Sequence, residues 1–178
     1  MTGTHDAFKE HHAFSETEGE LVMTESGFPQ EWLSLRNPQE WHDWLAQNHD
    51  RKDQIWLKIK KAHAKGEGIL LAEAVEEALC FGWIDGKMYS LDKESFIIRL
   101  TPRRTGSVWS LVNRNRAEAL MEAGRMTEAG LAVILDAKVN GKWQAAYSSK
   151  EVPELPDELE QAFRDDPVAR EHFEGWPT

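Results

Sequence analysis

The sequence predicts an α+β fold, in which a small antiparallel or mixed sheet is backed by helices and followed by a C-terminal helical extension. Three observations predict it. Apolar residues recur at helical spacing in several segments, short runs alternating apolar and polar residues lie between them, and glycine, proline and asparagine separate the segments. With 178 residues, of which 40% are hydrophobic and 29% are charged, the chain is long enough for one domain with a real core.

Charge is distributed unevenly and divides the chain into three regions. Residues 1–28 hold six acidic residues and one lysine, and residues 151–178 hold nine acidic residues and two arginines. The net charge of −10 therefore belongs to the ends, whereas residues 29–150 carry a small excess of bases. We predict a mobile acidic tail over 1–28, an α+β core domain over 29–150 and an acidic helical C-terminal segment over 151–178.

The first part of the core domain predicts a strand, a helix and a second strand. Alternation over 31–35 is typical of a short strand. Asn37 as N-cap and Pro38 in the first turn predict a helix that ends near His49. The next strand, over about 54–60, would place on one side the residues Ile55, Leu57 and Ile59 and on the other Trp56, Lys58 and Lys60.

The second part predicts a helix, a hairpin and two further helices. One apolar helical face runs from Leu71 to Leu79, and Gly82 ends that helix. Strands over 87–91 and 95–101 form a hairpin that turns near 91–94. Ser107 is predicted to cap a helix from 108 to about 123. Thr127 is predicted to cap a helix reaching about 139, with three residues facing inward: Leu131, Ile134 and Leu135. Two short acidic helices follow, one from 157 and one from 166–167.

The most unusual stretch of the sequence is rich in arginine. Five of the ten arginines fall between positions 99 and 116, and no aspartate or glutamate occurs from 95 to 117. In a chain of net charge −10, such a segment favours a surface that faces an anion. Guanidinium groups and serine hydroxyls near the start of a helix are suited to binding phosphate or carboxylate.

Three phrases within the core domain resemble a known family. They are EALCFGWIDGK (77–87), LTPRRTGSVWSLVNRNRAEAL (100–120) and GRMTEAG (124–130). In this order they are similar to the YdeI/OmpD-associated, or bacteriocin-protection, family, and the resemblance extends from about 29 to 176. It implies a role in protection against cationic antimicrobial peptides and bacteriocins, a form of stress response. It implies no catalytic residue set.

The predicted ligand-binding site combines the arginine segment with the connection between the preceding helix and the hairpin. Its members are Trp83, Asp85, Arg99, Arg103, Arg104, Ser107, Trp109, Ser110 and Asn113. The arginines would bind the anionic group and the indoles an adjoining flat or apolar part, with Trp83 and Asp85 on the opposing wall. We therefore expect a non-catalytic protein that binds a small ligand carrying phosphate or carboxylate.

Other interpretations of the same residues stay open. The arginines could be neutralised by the chain's own acids, such as Asp85, Asp92 or the acidic C-terminal helices. Asp85 could be the general base of an enzyme that acts on a small anionic substrate. The arginines and aromatic rings could bind single-stranded nucleic acid, the least favoured partner. Trp83 and Trp109 could simply pack in the core.

Several classes of protein and site are disfavoured by what the sequence lacks. A single cysteine, Cys80, excludes an internal disulfide framework, and we expect a buried, inert thiol. No nucleotide-binding or hydrolase motif occurs, and no histidine or cysteine spacing indicates zinc, so we expect neither cofactor nor metal. No signal peptide or membrane-spanning run is predicted, which favours the cytoplasm. The expected partners are a small anionic ligand or another protein.

Overall fold

The protein is described from a computed structural model, which covers residues 28–148 and 157–174. The predicted acidic tail therefore lies, apart from Phe28, outside the described residues. The described elements are α1 Pro38–Asn48, β1 Ile55–Lys60, α2 Leu71–Cys80, β2 Trp83–Ser90, β3 Ser95–Pro102, α3 Leu111–Glu122, α4 Glu128–Val139, α5 Asp157–Asp165 and α6 Pro167–Glu174. These helices and this small antiparallel sheet confirm the predicted α+β class.

The chain divides into two units, residues 1–146 and 147–178. The first unit contains the sheet and the helices α1 to α4. In the second unit, α5 and α6 pack through the rings of Phe163 and Phe173, whose centroids lie 5.2 Å apart. The Oδ1 of Asp166 accepts the N–H groups of Val168 and Ala169, each at 3.1 Å, and so caps α6. No helix in the described ranges is long and apolar enough to cross a membrane.

The sheet has the order β1-β3-β2 and is antiparallel throughout. As predicted, Ile55, Leu57 and Ile59 lie on one face of β1 and belong to the core. Leu100 on β3 pairs with Ile55, and Ile98 pairs with Leu57, so these residues share that core-facing side. Between Asp85 and Met88 the register of β2 against β3 shifts, which marks a β-bulge.

Helix α2 lies at the centre of the helical layer. Its Ala74 carbonyl accepts the indole N–H of Trp41 from α1 at 3.1 Å. At its other end, the Cys80 carbonyl accepts the hydroxyl of Thr127 at 2.6 Å, just before α4 begins. Gly130 of α4 approaches so closely that a Cβ there would overlap the Cys80 carbonyl. The three helices are therefore held by both apolar packing and specific polar contacts.

The strand predicted over 31–35 is wrong. Leu33 forms a single parallel bridge with Leu57, through hydrogen bonds to the backbone of Trp56 and Lys58 at 2.8 and 2.9 Å. The pairing stops there because the chain turns into the cap of α1, where the Arg36 carbonyl accepts the N–H of Gly68 instead. Residues 83–86, expected to connect a helix to the hairpin, already belong to β2.

The predicted cap of α3 is wrong by three residues. The hydroxyl of Ser107 donates to the Arg104 carbonyl at 2.6 Å and closes a turn. The helix begins later, after Ser110, whose Oγ accepts the N–H of Asn113 at 3.2 Å. The caps at Asn37 and Thr127 are confirmed by hydrogen bonds to their third following residue at 3.0 and 3.4 Å.

The inward face predicted for α4 is only partly right. Ile134 is buried, but Leu131 and Leu135 are exposed. The core-facing positions are instead Gly130, Ile134 and Ala137. Since apolar residues surround this helix, its sequence pattern does not specify one inner face.

Candidate functional site

The predicted site residues lie in several separate places in the structure and do not form one site. Trp83 is a core residue with 1% of its surface exposed, and its indole N–H donates to the His49 carbonyl at 3.2 Å. Its ring packs edge-on against Trp44, with centroids 6.2 Å apart. Trp83 therefore contributes to the core and does not form a wall open to solvent.

Asp85 and Arg99 lie on opposite faces of the sheet. Asp85 is paired with Leu100, so its side chain is on the core-facing side at the half-exposed edge formed by β2. Arg99 precedes Leu100 and projects from the other face, where its guanidinium lies beside Gly86. Neither side chain forms an ion pair with another described residue, and the two are not brought together.

Four of the predicted residues do meet around one small hollow. Arg103, Arg104, Ser107 and Trp109 line it, together with Asp136 and Asn140 from the α4 side. The hollow has a volume of only about 10 Å³, which is about the space that one water molecule needs. It has no room for a phosphate or a carboxylate without a change in the loop.

Most of the polar groups around this hollow are already engaged within the protein. Arg103 is buried, its Cζ lies 3.8 Å from the centroid of the Trp109 ring, and its Nη1 donates to the Val108 carbonyl at 3.3 Å. The hydroxyl of Ser107 is used in the turn with Arg104. Only the side chain of Arg104 is exposed and makes no hydrogen bond or ion pair within the described chain.

Ser110 and Asn113 belong to the first turn of α3. Ser110 Oγ caps the helix, and Asn113 Oδ1 accepts a hydrogen bond from Nη1 of Arg116 at 3.3 Å. Arg114 Nη1 donates to the Trp143 carbonyl at 3.4 Å, and its Nε lies 3.8 Å from a carboxylate oxygen of Glu118. The start of α3 is therefore occupied by interactions within the protein.

A larger hollow lies at the open edge of β1, which the sequence did not single out. We call it the basic cavity; it has a volume of about 280 Å³ and is lined by Ser34, Leu35, Arg36, Lys58, Lys60, Ala64, Lys65, Glu67, Gly68, Asp92, Glu94 and Ser95. Its volume is close to the roughly 300 Å³ at which small-molecule pockets begin. Three distant segments form it: the chain before α1, β1 with the loop that follows, and the hairpin turn.

The cations of the basic cavity differ in how far they are already paired. Arg36 forms two hydrogen bonds with Glu40 and a close ion pair with it. Lys60 Nζ donates to the Gly66 carbonyl at 2.7 Å, which uses one of its three donors. The ammonium groups of Lys58 and Lys65 make no hydrogen bond or ion pair with any described residue.

The acids of the basic cavity are Glu67, Asp92 and Glu94, and both carboxylate oxygens of Asp92 accept hydrogen bonds from the hairpin turn. Its Oδ1 accepts the N–H groups of Glu94 and Ser95 at 2.7 Å, and its Oδ2 accepts the Ser95 hydroxyl at 2.8 Å. Burial acts to raise the pKa of Asp92, but these hydrogen bonds and the nearby charge of Lys58 hold it below its usual value. Lys58 therefore lies close to the Asp92 carboxylate, whose two oxygens already accept three hydrogen bonds from residues of the hairpin turn.

A second charged cluster lies between α1, α2 and the loop before α4. The buried carboxylate of Glu77 lies 2.9 Å from Nδ1 of His42 and forms a close ion pair with Arg125. Arg125 also pairs with Glu76 at 3.1 Å. The residues described contain no group of three or more histidine, cysteine, aspartate or glutamate side chains that could hold a metal ion. The cluster is a structural connection between three parts of the core.

Comparison with known proteins gives one match. A family model described as a domain of unknown function (DUF8412) matches residues 33–133, which is more than half of the chain. The matched part includes the sheet, every residue that lines the basic cavity and the arginine segment. No curated protein and no solved structure matches the chain.

Proposed function

The chain belongs to the DUF8412 family, a domain of unknown function, and from the chemistry of its own residues we propose that it binds a small ligand without catalysis. The ligand carries a phosphate or carboxylate group and occupies the basic cavity. One observation carries the proposal. Lys58 and Lys65 line a cavity of about 280 Å³, and their ammonium groups make no hydrogen bond or ion pair with a described residue.

The charge and donors of the basic cavity favour an anion over a cation. Four cationic side chains line it against three acidic ones. The oxygens of Asp92 are occupied by the hairpin turn, so this acid is poorly placed to hold a ligand cation. Lysine ammonium groups are compact point charges with three donors, which suit a phosphate or carboxylate oxygen. The Ser34 hydroxyl supplies a neutral donor at the same cavity.

The hollow beside Arg103 and Trp109 remains the second position for such a ligand. Its support is the exposed guanidinium of Arg104, and its weakness is the volume of about 10 Å³.

We also propose that the protein acts in the cytoplasm. Anion binding would be the biochemical basis of the protective role that the family resemblance implies.

Two other functions are less well supported by the geometry. Catalysis by Asp85 would require a cation near its carboxylate to hold the substrate, and Arg99 lies on the opposite face of the sheet. Single-stranded nucleic acid would require open ring faces. The rings of Phe28, Tyr89 and Trp56 follow one another at 5.3 and 5.4 Å, but only 2% of Trp56 is exposed.

Thermal unfolding with a defined anion tests the proposal. The melting temperature is measured with increasing inorganic phosphate, and separately with acetate, while chloride holds the ionic strength constant. A ligand that binds only the folded state stabilises it by about 1.4 kcal/mol at ten times its Kd. We expect the wild type to be stabilised and Lys58→Gln/Lys65→Gln to lose the response.

The matched control removes the same charge outside the basic cavity. Arg51→Gln/Lys87→Gln changes two exposed cations and should respond as the wild type does. A response lost instead in Arg104→Gln would move the ligand to the hollow beside Trp109. If neither anion stabilises the wild type, or if the lysine variant responds normally, the basic cavity is not the site. If only oligothymidine raised the melting temperature, and this increase became smaller as the salt concentration rose, nucleic acid would be the favoured ligand.

A further inference from the structure

Helix α4 is apolar around almost its whole circumference. Its sequence is EAGLAVILDAKV, and Gly130, Ile134 and Ala137 face the core. Three large apolar residues remain on the outside: Leu131, Leu135 and Val139. A helix that is apolar on every side is normally covered on more than one side.

The three outward residues form one stripe. They are four positions apart, so they follow one another along a single helix face. Their exposed fractions are 45% for Leu131, 63% for Leu135 and 81% for Val139. Exposed apolar side chains that stand singly, such as Met88, are ordinary on a protein surface, whereas a continuous stripe marks an interaction surface.

The charges at the two ends of this stripe are opposite. Glu128 lies in the first turn of α4, Lys138 lies in the last turn and Lys142 follows just beyond the helix. Glu128 and Lys142 are exposed and form no ion pair within the described chain. Leu131 and Val139 are each four residues from Leu135, one before it and one after it. Glu128 and Lys142 are each seven residues from Leu135, again one before it and one after it.

This symmetry identifies the occupant of the stripe. We infer that α4 packs antiparallel against α4 of a second copy of this chain, with Leu135 at the two-fold axis. Leu131 of one copy then contacts Val139 of the other, and Glu128 of one copy faces Lys142 of the other. A parallel pairing would instead bring Glu128 of one copy against Glu128 of the other, and the two negative charges would repel each other. An antiparallel pairing also places the positive N-terminal end of each helix dipole beside the negative C-terminal end of the other.

The pairing is weak because one helix from each copy supplies it. Such an interface falls at the low end of the size range for specific complexes. We expect a monomer–dimer equilibrium with a Kd on the order of 10–100 μM. The inference does not depend on the basic cavity, because none of the residues that line the cavity belongs to α4.

Sedimentation of the full chain across a concentration series tests the pairing. Leu135→Asp places a charge at the two-fold axis and should raise the dimer Kd at least tenfold. Val112→Asp is the matched control, because Val112 is 54% exposed on α3 and lies outside the stripe. A wild type that stays monomeric at about 500 μM, beyond the Kd range expected for this interface, would overturn the inference. So would a dimer that Leu135→Asp does not weaken.

Cysteine cross-linking in a Cys80→Ala background tests the orientation. In an antiparallel pair centred on Leu135, the two Leu131 positions are separated by eight residues along the axis, about 12 Å. That separation exceeds the reach of a disulfide, roughly 7 Å between Cα atoms. Leu131→Cys should therefore cross-link to Val139→Cys when the two proteins are mixed, and not to itself. Self-linking of Leu131→Cys, or no cross-link in the mixture, would overturn the inference.

Discussion

The guanidinium carbon of Arg103 lies 3.8 Å from the centroid of the Trp109 ring, and both side chains are buried. The same guanidinium donates from Nη1 to the Val108 carbonyl at 3.3 Å. The backbone N–H of Arg103 also donates to the Gly82 carbonyl at 2.9 Å, so this residue ties the end of β3 to the start of β2. Arg103, one of the five arginines of the cationic segment, is thus a structural residue of the loop before α3.

Replacing Arg103 by lysine should destabilise the fold even though the charge is kept. An ammonium lacks the flat face that stacks on Trp109 and the planar fork that reaches the Val108 carbonyl. We expect the free energy of unfolding to fall by about 1–3 kcal/mol, the combined scale of one cation–π contact and one buried hydrogen bond. Urea denaturation followed by tryptophan fluorescence measures the change.

Arg104→Lys is the matched control for Arg103→Lys. Arg104 is the next residue, is exposed, and makes no side-chain hydrogen bond or ion pair within the described chain. Its replacement should leave the urea midpoint unchanged. If both variants unfold at the midpoint of the wild type, the stack on Trp109 contributes nothing to stability.

Glu77→Gln should destabilise the helical layer. Glu77 is a buried residue with 9% of its surface exposed, and its carboxylate is shared by His42 of α1 and Arg125 before α4. The amide keeps the shape but leaves the partly buried Arg125 without its closest counter-charge. Breaking one side of a buried ion pair costs about 3–5 kcal/mol, and the partial exposure of Arg125 places the expected loss nearer 2–3 kcal/mol. Chemical denaturation gives the value.

Glu76→Gln is the matched control for Glu77→Gln, because it removes an exposed carboxylate that pairs with the same arginine. Glu76 pairs with the same arginine at 3.1 Å, but its side chain is 37% exposed. We expect a loss of less than about 1 kcal/mol for such a surface pair. Equal losses in the two variants would mean that Glu77 has no special role in joining the helices.

The parts of the fold that depend on neighbouring residues could be predicted from the sequence. Asn37 and Thr127 accept hydrogen bonds from residues three positions ahead, so the cap and its helix are contained in one short segment. The hairpin turn at 91–94 is set by Asp92, whose partners Glu94 and Ser95 follow it at once. Hydrogen bonds between residues this close in the chain can be recognised as a pattern in a single sequence.

The parts that depend on distant residues could not be predicted. One local choice was not visible either: Ser107 and Ser110 are both able to cap a helix, and Ser107 instead closes a turn with the Arg104 carbonyl while Ser110 caps α3. Lys58 and Lys65 were not singled out from the sequence, because nothing in their own segment shows that residues 34–36 and 92–95 come beside them. The arginine cluster was visible, but the partners of Arg103, the Trp109 ring and the Val108 carbonyl, carry no charge and leave no pattern.

Gly130→Ala should strongly destabilise the contact between α2 and α4. An added Cβ would overlap the backbone carbonyl of Cys80, which cannot move like the end of a flexible side chain. The overlap forces α4 away from α2, and we expect a loss of about 3 kcal/mol or more. Ala132→Ser on the exposed side of the same helix should change stability by less than about 0.5 kcal/mol. Thermal unfolding of both variants provides the comparison, and equal melting temperatures would contradict the close approach.

Cys80 should make the stability of the protein depend on alkaline pH. Burial, followed by the negative charge of Glu77, raises the pKa of its thiol from 9.0 to about 11. Between these values the unfolded chain has released the proton while the folded chain still holds it. The free energy of unfolding therefore falls as pH rises through this window, and the contribution is fully present only below about pH 9.

The Cys80→Ala variant isolates this dependence from the titration of lysines and tyrosines. The difference in unfolding free energy between wild type and Cys80→Ala should shrink by about 1–2 kcal/mol from pH 8.5 to 10.5. Iodoacetamide should also label the folded wild type slowly at pH 8.5, because the thiolate is the reactive form and the thiol is buried. A difference that stays constant over this range, together with fast labelling, would mean that the thiol ionises as freely in the folded protein as in the unfolded chain.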